Sequence, residues 1–204
     1  MAVGARLASV GYQVVLGSRS LQRATEARDH LLTEWSDLQL KLDGAENAVA
    51  ASADVVVVAT PWESAAPTAS DLAAELAGKV VISMANALVR VGKEFEPLIP
   101  PRGSVAAHVQ AAIPKSRVVA ALHHLPAKEL GHLGESLDCD VLVCSDDPEA
   151  TKTVIDIVGR IPGCRGLDAG ELSNAMAIEA FTAVLLQLNV RYRTRVAPRL
   201  TGIR

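Results

Sequence analysis

Aromatic residues make up only 3% of the 204 residues, with Trp, Tyr and Phe at two copies each. A core must therefore be built from Ala, Val, Leu and Ile, which suits helices packed on a parallel sheet. Cysteine is also scarce. Cys139, Cys144 and Cys164 are odd in number and form no close Cys-x-x-Cys pair. That argues against structural disulfides and zinc, and for a reducing interior. No apolar run approaches the roughly 18 residues of a membrane span. The apolar start, Met1 to Gly17, is broken by Arg6, Ser9, Gly11 and Gln13 and leads straight into a strand-like run, so it does not read as a signal peptide. Neither sign of charge dominates: the formal net charge is -3, which does not indicate a broad nucleic-acid surface. Internal repeats, low-complexity linkers, metal-ligand spacings and Ser-His-Asp or Cys-His signatures are absent as well.

What is present is 50% hydrophobic residues against 21% charged, enough to bury a real core. Strand-like runs alternate with helix-like stretches. Tyr12 to Leu16 predicts a strand and Leu21 to Trp35 a helix. Asp54 to Ala59 (DVVVVA) is a continuous apolar run, as expected of a strand covered on both faces. It stops at Thr60-Pro61. A helix is predicted from Ala69 to Leu76, a strand over Lys79 to Ser83, a helix over Val105 to Ala112 and a strand over Arg117 to Leu122. Then follow a strand at Asp140 to Cys144, a helix at Pro148 to Arg160, a short strand at Gly166 to Ala169 and a long helix from Glu171 to Val190. This alternation predicts an α/β fold, a Rossmann-like doubly wound parallel sheet with a small C-terminal α/β part. Right-handed crossovers align the strand C-termini on one edge, where ligands bind.

Those strand ends carry the candidate chemistry. In a dinucleotide fold the residue ending the second strand meets the adenine ribose. In Gly17-Ser18-Arg19-Ser20, arginine beside serine suits a 2′-phosphate, and Arg23, one helical turn on, could close on it. The alternative is a glycine turn with solvated arginines. Trp62, in Thr60-Pro61-Trp62-Glu63, offers a flat wall beside a ring, or else simply covers the sheet end. His123 and His124 could donate to a ligand or move a proton, or be satisfied by backbone. Asp146-Asp147 reads as a helix cap before Pro148 rather than an acid-base pair. His30, His108 and His132 have no evident partner. Arg191, Arg193, Arg195, Arg199 and Arg204 form a basic tail, solvated or in a subunit contact. The lack of a nucleophile fits hydride transfer, in which bound cofactors carry the chemistry and the protein positions two rings.

Read in order, LASVGYQVVLGSRS, ATPWESA, VVAALHHLPA, DVLVCSDDPEA and GLDAGELSNA resemble the NADPH-dependent coenzyme F420 reductases (F420H2:NADP oxidoreductases) over about Arg6 to Leu188. The cytoplasmic domain of the STEAP metalloreductases is similar to this family. The resemblance implies NADP(H) along the strand edge with coenzyme F420 stacked on its nicotinamide. It places Ser18, Arg19 and Arg23 on the 2′-phosphate. Ala59, Thr60, Pro61 and Trp62 fall beside the pyrophosphate and nicotinamide. Asn86 matches a usual Asn-Pro-Leu in which Ala87 replaces proline. His123, His124, Leu125, Pro126 and Ala127 line the deazaflavin pocket. It further implies a cytoplasmic homodimer or higher homo-oligomer acting on small-molecule cofactors, with no membrane or nucleic-acid partner. Residues 1–128 would form the NADP-binding domain, and 129–204 a smaller part completing the F420 pocket and the subunit contacts.

One departure is large. The family begins with a strand and a Gly-Thr-Gly-x-x-Gly loop, whereas Met1 to Ala8 matches the stretch just after that loop. Roughly 15 residues are missing by the usual anatomy of this unit, and Gly4 is no substitute. The expected N-terminal truncation removes a central strand between those at Tyr12 and Asp54, together with the amides that bind the pyrophosphate. Three explanations stand open: a start placed too late, a chain that binds NADP weakly, or strands that close up and pair directly. The functional alternatives are an NADPH-dependent flavin or metal-chelate reductase of STEAP-like type and an inactive dinucleotide-binding module.

Overall fold

Four consecutive valines, Val55 to Val58, have too little polar surface for a solvent-facing element, and their β-branching favours extended backbone. In a computed structural model, which describes residues 1–203, they form the third of nine strands. The order is α1 (Ala2–Ser9), β1 (Val14–Ser18), α2 (Leu21–Glu34), β2 (Leu42–Glu46), α3 (Asn47–Ala50), β3 (Val55–Val58), α4 (Trp62–Asp71), α5 (Ala73–Leu76) and β4 (Val80–Ser83). Next come β5 (Leu88–Val91), β6 (Glu94–Pro97), α6 (Val105–Ala112), β7 (Arg117–Ala120), α7 (Ala127–Gly131), β8 (Cys139–Ser145), α8 (Pro148–Gly159), β9 (Cys164–Asp168), a 3-10 turn (Leu172–Asn174) and α9 (Ala175–Tyr192).

The main sheet has the order β3-β4-β7-β8-β9. β3, β4 and β7 are parallel, as are β8 and β9, but β8 runs antiparallel to β7. The C-terminal strands thus extend the same sheet in the opposite sense, and the 128/129 boundary falls inside α7. β1 and β2 form a separate parallel pair, and β5 and β6 an antiparallel hairpin. β4 is buried along its whole length, whereas Val55, Val56 and Val57 of β3 are only half-buried. The cause is topological: β3 pairs with β4 on one side only, and β1 with β2 on one side only. β1 and β3 do not pair with each other, so the strands have not closed up. α1 bridges the two sheets instead. Its Ala5 and Ala8 pack with Leu31, Leu40 and Leu133, while Ala2, Val3 and Leu7 pack on the cluster containing Val55 and Val57.

Several boundaries differ from the sequence reading. The helix expected at Ala69 to Leu76 is split at Leu72 between the short α5 and α4, which begins at Trp62, directly after Pro61, and passes through Pro67. Burial of Ala65, Ala66 and Ala69 outweighs the proline's missing donor. The strand expected to reach Leu122 stops at Ala120, because Leu122 adopts φ 66, outside any strand conformation. β2 and the β5–β6 hairpin were not anticipated. β2 (LDGAE) is made by its neighbours: a Cβ at Gly44 would lie 2.6 Å from the Ala24 carbonyl oxygen, so only glycine lets α2 sit this close.

Candidate functional site

The candidate site residues lie along the carboxyl edge of the parallel strands. At the end of β1, the Ser18 hydroxyl accepts the Ser20 N–H at 3.3 Å, and Ser20 in turn caps α2 by accepting the Arg23 N–H. This turn leaves the Arg19 and Arg23 side chains exposed, and neither forms an ion pair among the described residues. Two uncommitted guanidinium groups on one turn suit a phosphate, with Ser18 beside them.

Past β3, Ala59 is exposed and Thr60 half-buried, with its hydroxyl oxygen buried and unpartnered. Trp62 is half-buried in the first turn of α4. Its ring borders a cavity of about 130 Å³ shared with Pro100, Pro101, Val105 and His108, so it covers the sheet end as well as bordering the edge. A larger concavity of about 820 Å³ lies between the Pro101–Ser104 loop, α6 and the 3-10 turn and includes none of the predicted site residues.

At the ends of β4 and β7 the chain is tied together. The Asn86 side-chain amide donates to the His123 carbonyl at 2.7 Å. The left-handed Leu122 turns the chain so that both histidines are buried, their rings edge-on at 5.0 Å. A non-glycine residue in this conformation stores about 1 kcal/mol or more, a cost that tends to be met at functional turns. His124 Nε2 accepts the Leu142 N–H at 3.2 Å and lies 3.1 Å from the Asp140 carbonyl. His123 is different: burial, aided by the charge of His124, pushes its imidazole down to about 3. The ring is neutral near pH 7, and both its nitrogens lack a partner among the described residues. Leu125 is buried, Pro126 half-buried and Ala127 exposed at the start of α7.

Buried polar atoms normally find partners, so those that do not need a reason. Thr60 Oγ1, Ser83 Oγ, Asn86 Oδ1, both nitrogens of His123 and His124 Nδ1 are all unpartnered, and all lie at or just beyond the carboxyl ends of β3, β4 and β7. Apolar closure would leave them costly, whereas a ligand with polar edges would satisfy them. Ser83 was placed at a strand end by the sequence reading but not among the site residues; its signal is a hydroxyl ending the apolar run Val80-Val81-Ile82.

Other candidates resolve as structural. Asp147 caps α8 by accepting the Ala150 N–H at 2.8 Å, and Asp146 accepts the Leu172 N–H at 3.0 Å. Within the basic tail, Arg191 pairs with Glu94, Arg195 with Glu129 and Arg199 with Asp138 and Asp140. These three arginines meet distant carboxylates while staying largely exposed; Arg193 is exposed without an ion pair among the described residues, and Arg204 lies outside them.

The family model described as NADP oxidoreductase coenzyme F420-dependent matches residues 1–87. An F420-dependent NADP reductase of Methanocaldococcus jannaschii is 36% identical over 197 residues, covering 94% of this chain and 86% of the relative. The chain belongs to the coenzyme F420-dependent NADP oxidoreductase family. A second F420-dependent NADP reductase, from Methanothermobacter thermautotrophicus, is 31% identical over 201 residues, 94% of this chain and 85% of that protein. A solved structure from Arthrobacter sp. FB24, described as a proposed F420-dependent NADP reductase, superposes with a TM-score of 0.82 at 24% identity, covering 100% of this chain and 96% of that one. At that identity it shows the fold this F420-dependent NADP oxidoreductase family member shares. No helix among the described residues is long and apolar enough to cross a membrane.

Proposed function

We propose that this chain is an oxidoreductase that transfers hydride between NADP(H) and coenzyme F420 along the carboxyl edge of β1, β3, β4 and β7. The observation that carries the reading is the group of unpartnered buried polar atoms at that edge, within a chain of this family. The residues present fit the two ring systems and the 2′-phosphate. For the pyrophosphate they offer only the N-terminus of α1, which has no side-chain cap, and no Gly-x-Gly-x-x-Gly occurs in the 204 residues.

When bound, the nicotinamide and the deazaflavin supply the hydride donor and acceptor pair. The chain's own residues bind and orient. Arg19, Arg23 and Ser18 hold the 2′-phosphate and so select NADP over NAD. Ala59, Thr60, Pro61 and Trp62 flank the nicotinamide side, the Thr60 hydroxyl being free to bond a carboxamide. Asn86 ties the β4 loop to the His123 turn, which fixes the distance between the two halves of the site. His123 to Ala127 border the deazaflavin. With its ring neutral down to about pH 3, His123 offers a neutral hydrogen bond and no imidazolium proton near pH 7.

The chain acts as a homodimer or higher oligomer in the cytoplasm. Ala177, Phe181 and Val184 are exposed on α9 and Leu188 is half-exposed, a helical stripe suited to a second copy, and all three cysteines are free thiols. Light scattering tests the assembly.

The activity test is direct. Purified protein, NADPH and coenzyme F420 under anaerobic conditions should bleach the deazaflavin absorbance. FMN and ferric chelates should turn over far more slowly. Reduction of ferric chelate or FMN with none of coenzyme F420 would overturn the reading.

A further inference from the structure

β8 and β9 are parallel neighbours, and their register sets Cys139 directly opposite Cys164. Paired strands lie about 4.8 Å apart, inside the Cα separation of about 4.4–6.8 Å that a disulfide spans. In parallel strands opposed residues share a face, and the two Sγ atoms lie 3.3 Å apart as a thiol–thiol hydrogen bond. The pair sits at the rim. Asp138, just before Cys139, has φ 43, and Gly163, just before Cys164, has φ 81, so both cysteines stand at turn exits. Cys139 is fully buried, and Cys164 reaches the surface with 8% of its area.

The surroundings are basic. Arg199, from the C-terminal tail, donates to the Cys139 and Gly163 carbonyls, and buried Arg6 adds its charge near Cys164. A hydrogen bond from the Cys139 thiol, helped by Arg6 and Arg199, holds Cys164 below the ordinary thiol range, while the same bond and burial push Cys139 up. One thiol is thus prepared to attack and its partner to remain a thiol until needed. Cys144 has no such environment: it is fully buried and pushed up to about 12 by burial.

We propose that Cys139 and Cys164 form a reversible redox-active dithiol that reacts with low-molecular-weight disulfides, Cys164 attacking first and Cys139 resolving. In the first step the Cys164 sulfur bonds to one sulfur of the oxidant, whose S–S bond breaks, and one small thiol leaves with a proton. In the second the Cys139 sulfur attacks Cys164 Sγ, the mixed disulfide breaks, and a second small thiol leaves. The pair loses two protons and two electrons, and the small disulfide gains them. The product closes residue 139 onto 164, next to Asp140, which anchors the tail through Arg199 and the Leu200 N–H and whose carbonyl backs His124.

The test uses the native, pre-reduced protein incubated with oxidised glutathione, then alkylated and mapped by mass spectrometry. The expected result is a Cys139–Cys164 cross-linked peptide, a mass lower by about 2 Da, an unmodified Cys144, and reversal by dithiothreitol. C139S should stop at a single glutathione on Cys164, and C164S should react about tenfold more slowly or not at all. The wild-type map decides the matter even where a serine variant folds poorly. Three free thiols after exposure, a lasting glutathione adduct on wild-type Cys164, or a cross-link to Cys144 would each overturn the proposal.

Discussion

Arg6 offers the sharpest stability prediction. Its side chain is fully buried, with no carboxylate bonded to it, and its guanidinium donates to five carbonyls, those of Glu129, Leu130, His132, Leu133 and Glu135, at 2.6–3.2 Å. Glu129 and Leu130 belong to the last turn of α7, the helix following His123 to Pro126, and His132, Leu133 and Glu135 to the chain just after it, so Arg6 pins this helix end and its exit. Water can rescue the part-buried carbonyls after truncation, but the bonds to Leu130 and Leu133 are buried. At about 2 kcal/mol for each buried charge-assisted bond, Arg6→Ala should cost about 4 kcal/mol, or about 8–16 °C in melting temperature for a chain of this size. Urea denaturation measures the first and calorimetry the second. Arg6→Met separates hydrogen bonding from packing, since it restores apolar volume without a donor, and it should lose nearly as much. Arg6→Lys, with three donors on one nitrogen, should fall in between. A methionine variant within about 1 kcal/mol of the parent would refute the reasoning, because packing alone would then account for Arg6.

Arg19→Glu should reverse the preference for NADP over NAD by removing a charge-assisted phosphate contact, a change of about 10–100-fold in relative kcat/KM; unchanged discrimination in steady-state assays would deny Arg19 that role. Asn86→Ala breaks the 2.7 Å tie to the His123 carbonyl and should lower kcat/KM for coenzyme F420 about tenfold while leaving the KM for NADPH nearly unchanged. Glu179 accepts the Val105 and Ala106 N–H groups at the start of α6, and burial raises its carboxyl from 4.5 to about 7. The folded chain then holds this proton more tightly than the unfolded one, so its contribution is greatest below pH 4.5 and declines by about 3 kcal/mol as pH rises through 7. His123 works the other way, its stability contribution present above 6.5 and lost as pH falls towards 3. The wild-type minus Glu179→Gln difference in urea stability between pH 5 and 8 isolates the carboxyl, and equal slopes would count against it.

Legibility followed how local each cause was. β3, β4 and α8 could be read because their signals lie within a few residues: uninterrupted valines, a serine stop, Asp147 capping ahead of Pro148. The one-turn spacing of Arg19 and Arg23 likewise made their turn readable, although the Ser20 cap that builds it was not foreseen. β2 was hidden because Leu42 to Glu46 has weak strand propensity and exists through pairing with β1 and the close approach of α2 at Gly44. The hairpin of β5 and β6 depends on α9, where the Gln187 side chain accepts the Phe95 N–H and Arg191 meets Glu94. The ion pairs of Arg191, Arg195 and Arg199 were not legible for a similar reason, since their carboxylate partners lie about 60 to 97 residues away.

The sequence by itself determined the alternation of the apolar strands with their helices, the strand-end motifs and, through them, the family. Those depend on propensity, period and spacing, which act within a turn or two of the chain. Only the tertiary structure decided which strands meet. It set β8 against β7 in the reverse sense, left β1 and β3 unpaired with each other, and brought Cys139 to Cys164 across 25 residues. It also decided which polar atoms at the sheet edge would lack a partner. A hydroxyl or an imidazole carries its bonding capacity in the sequence, but its satisfaction depends on what the rest of the chain places within 3.5 Å of it.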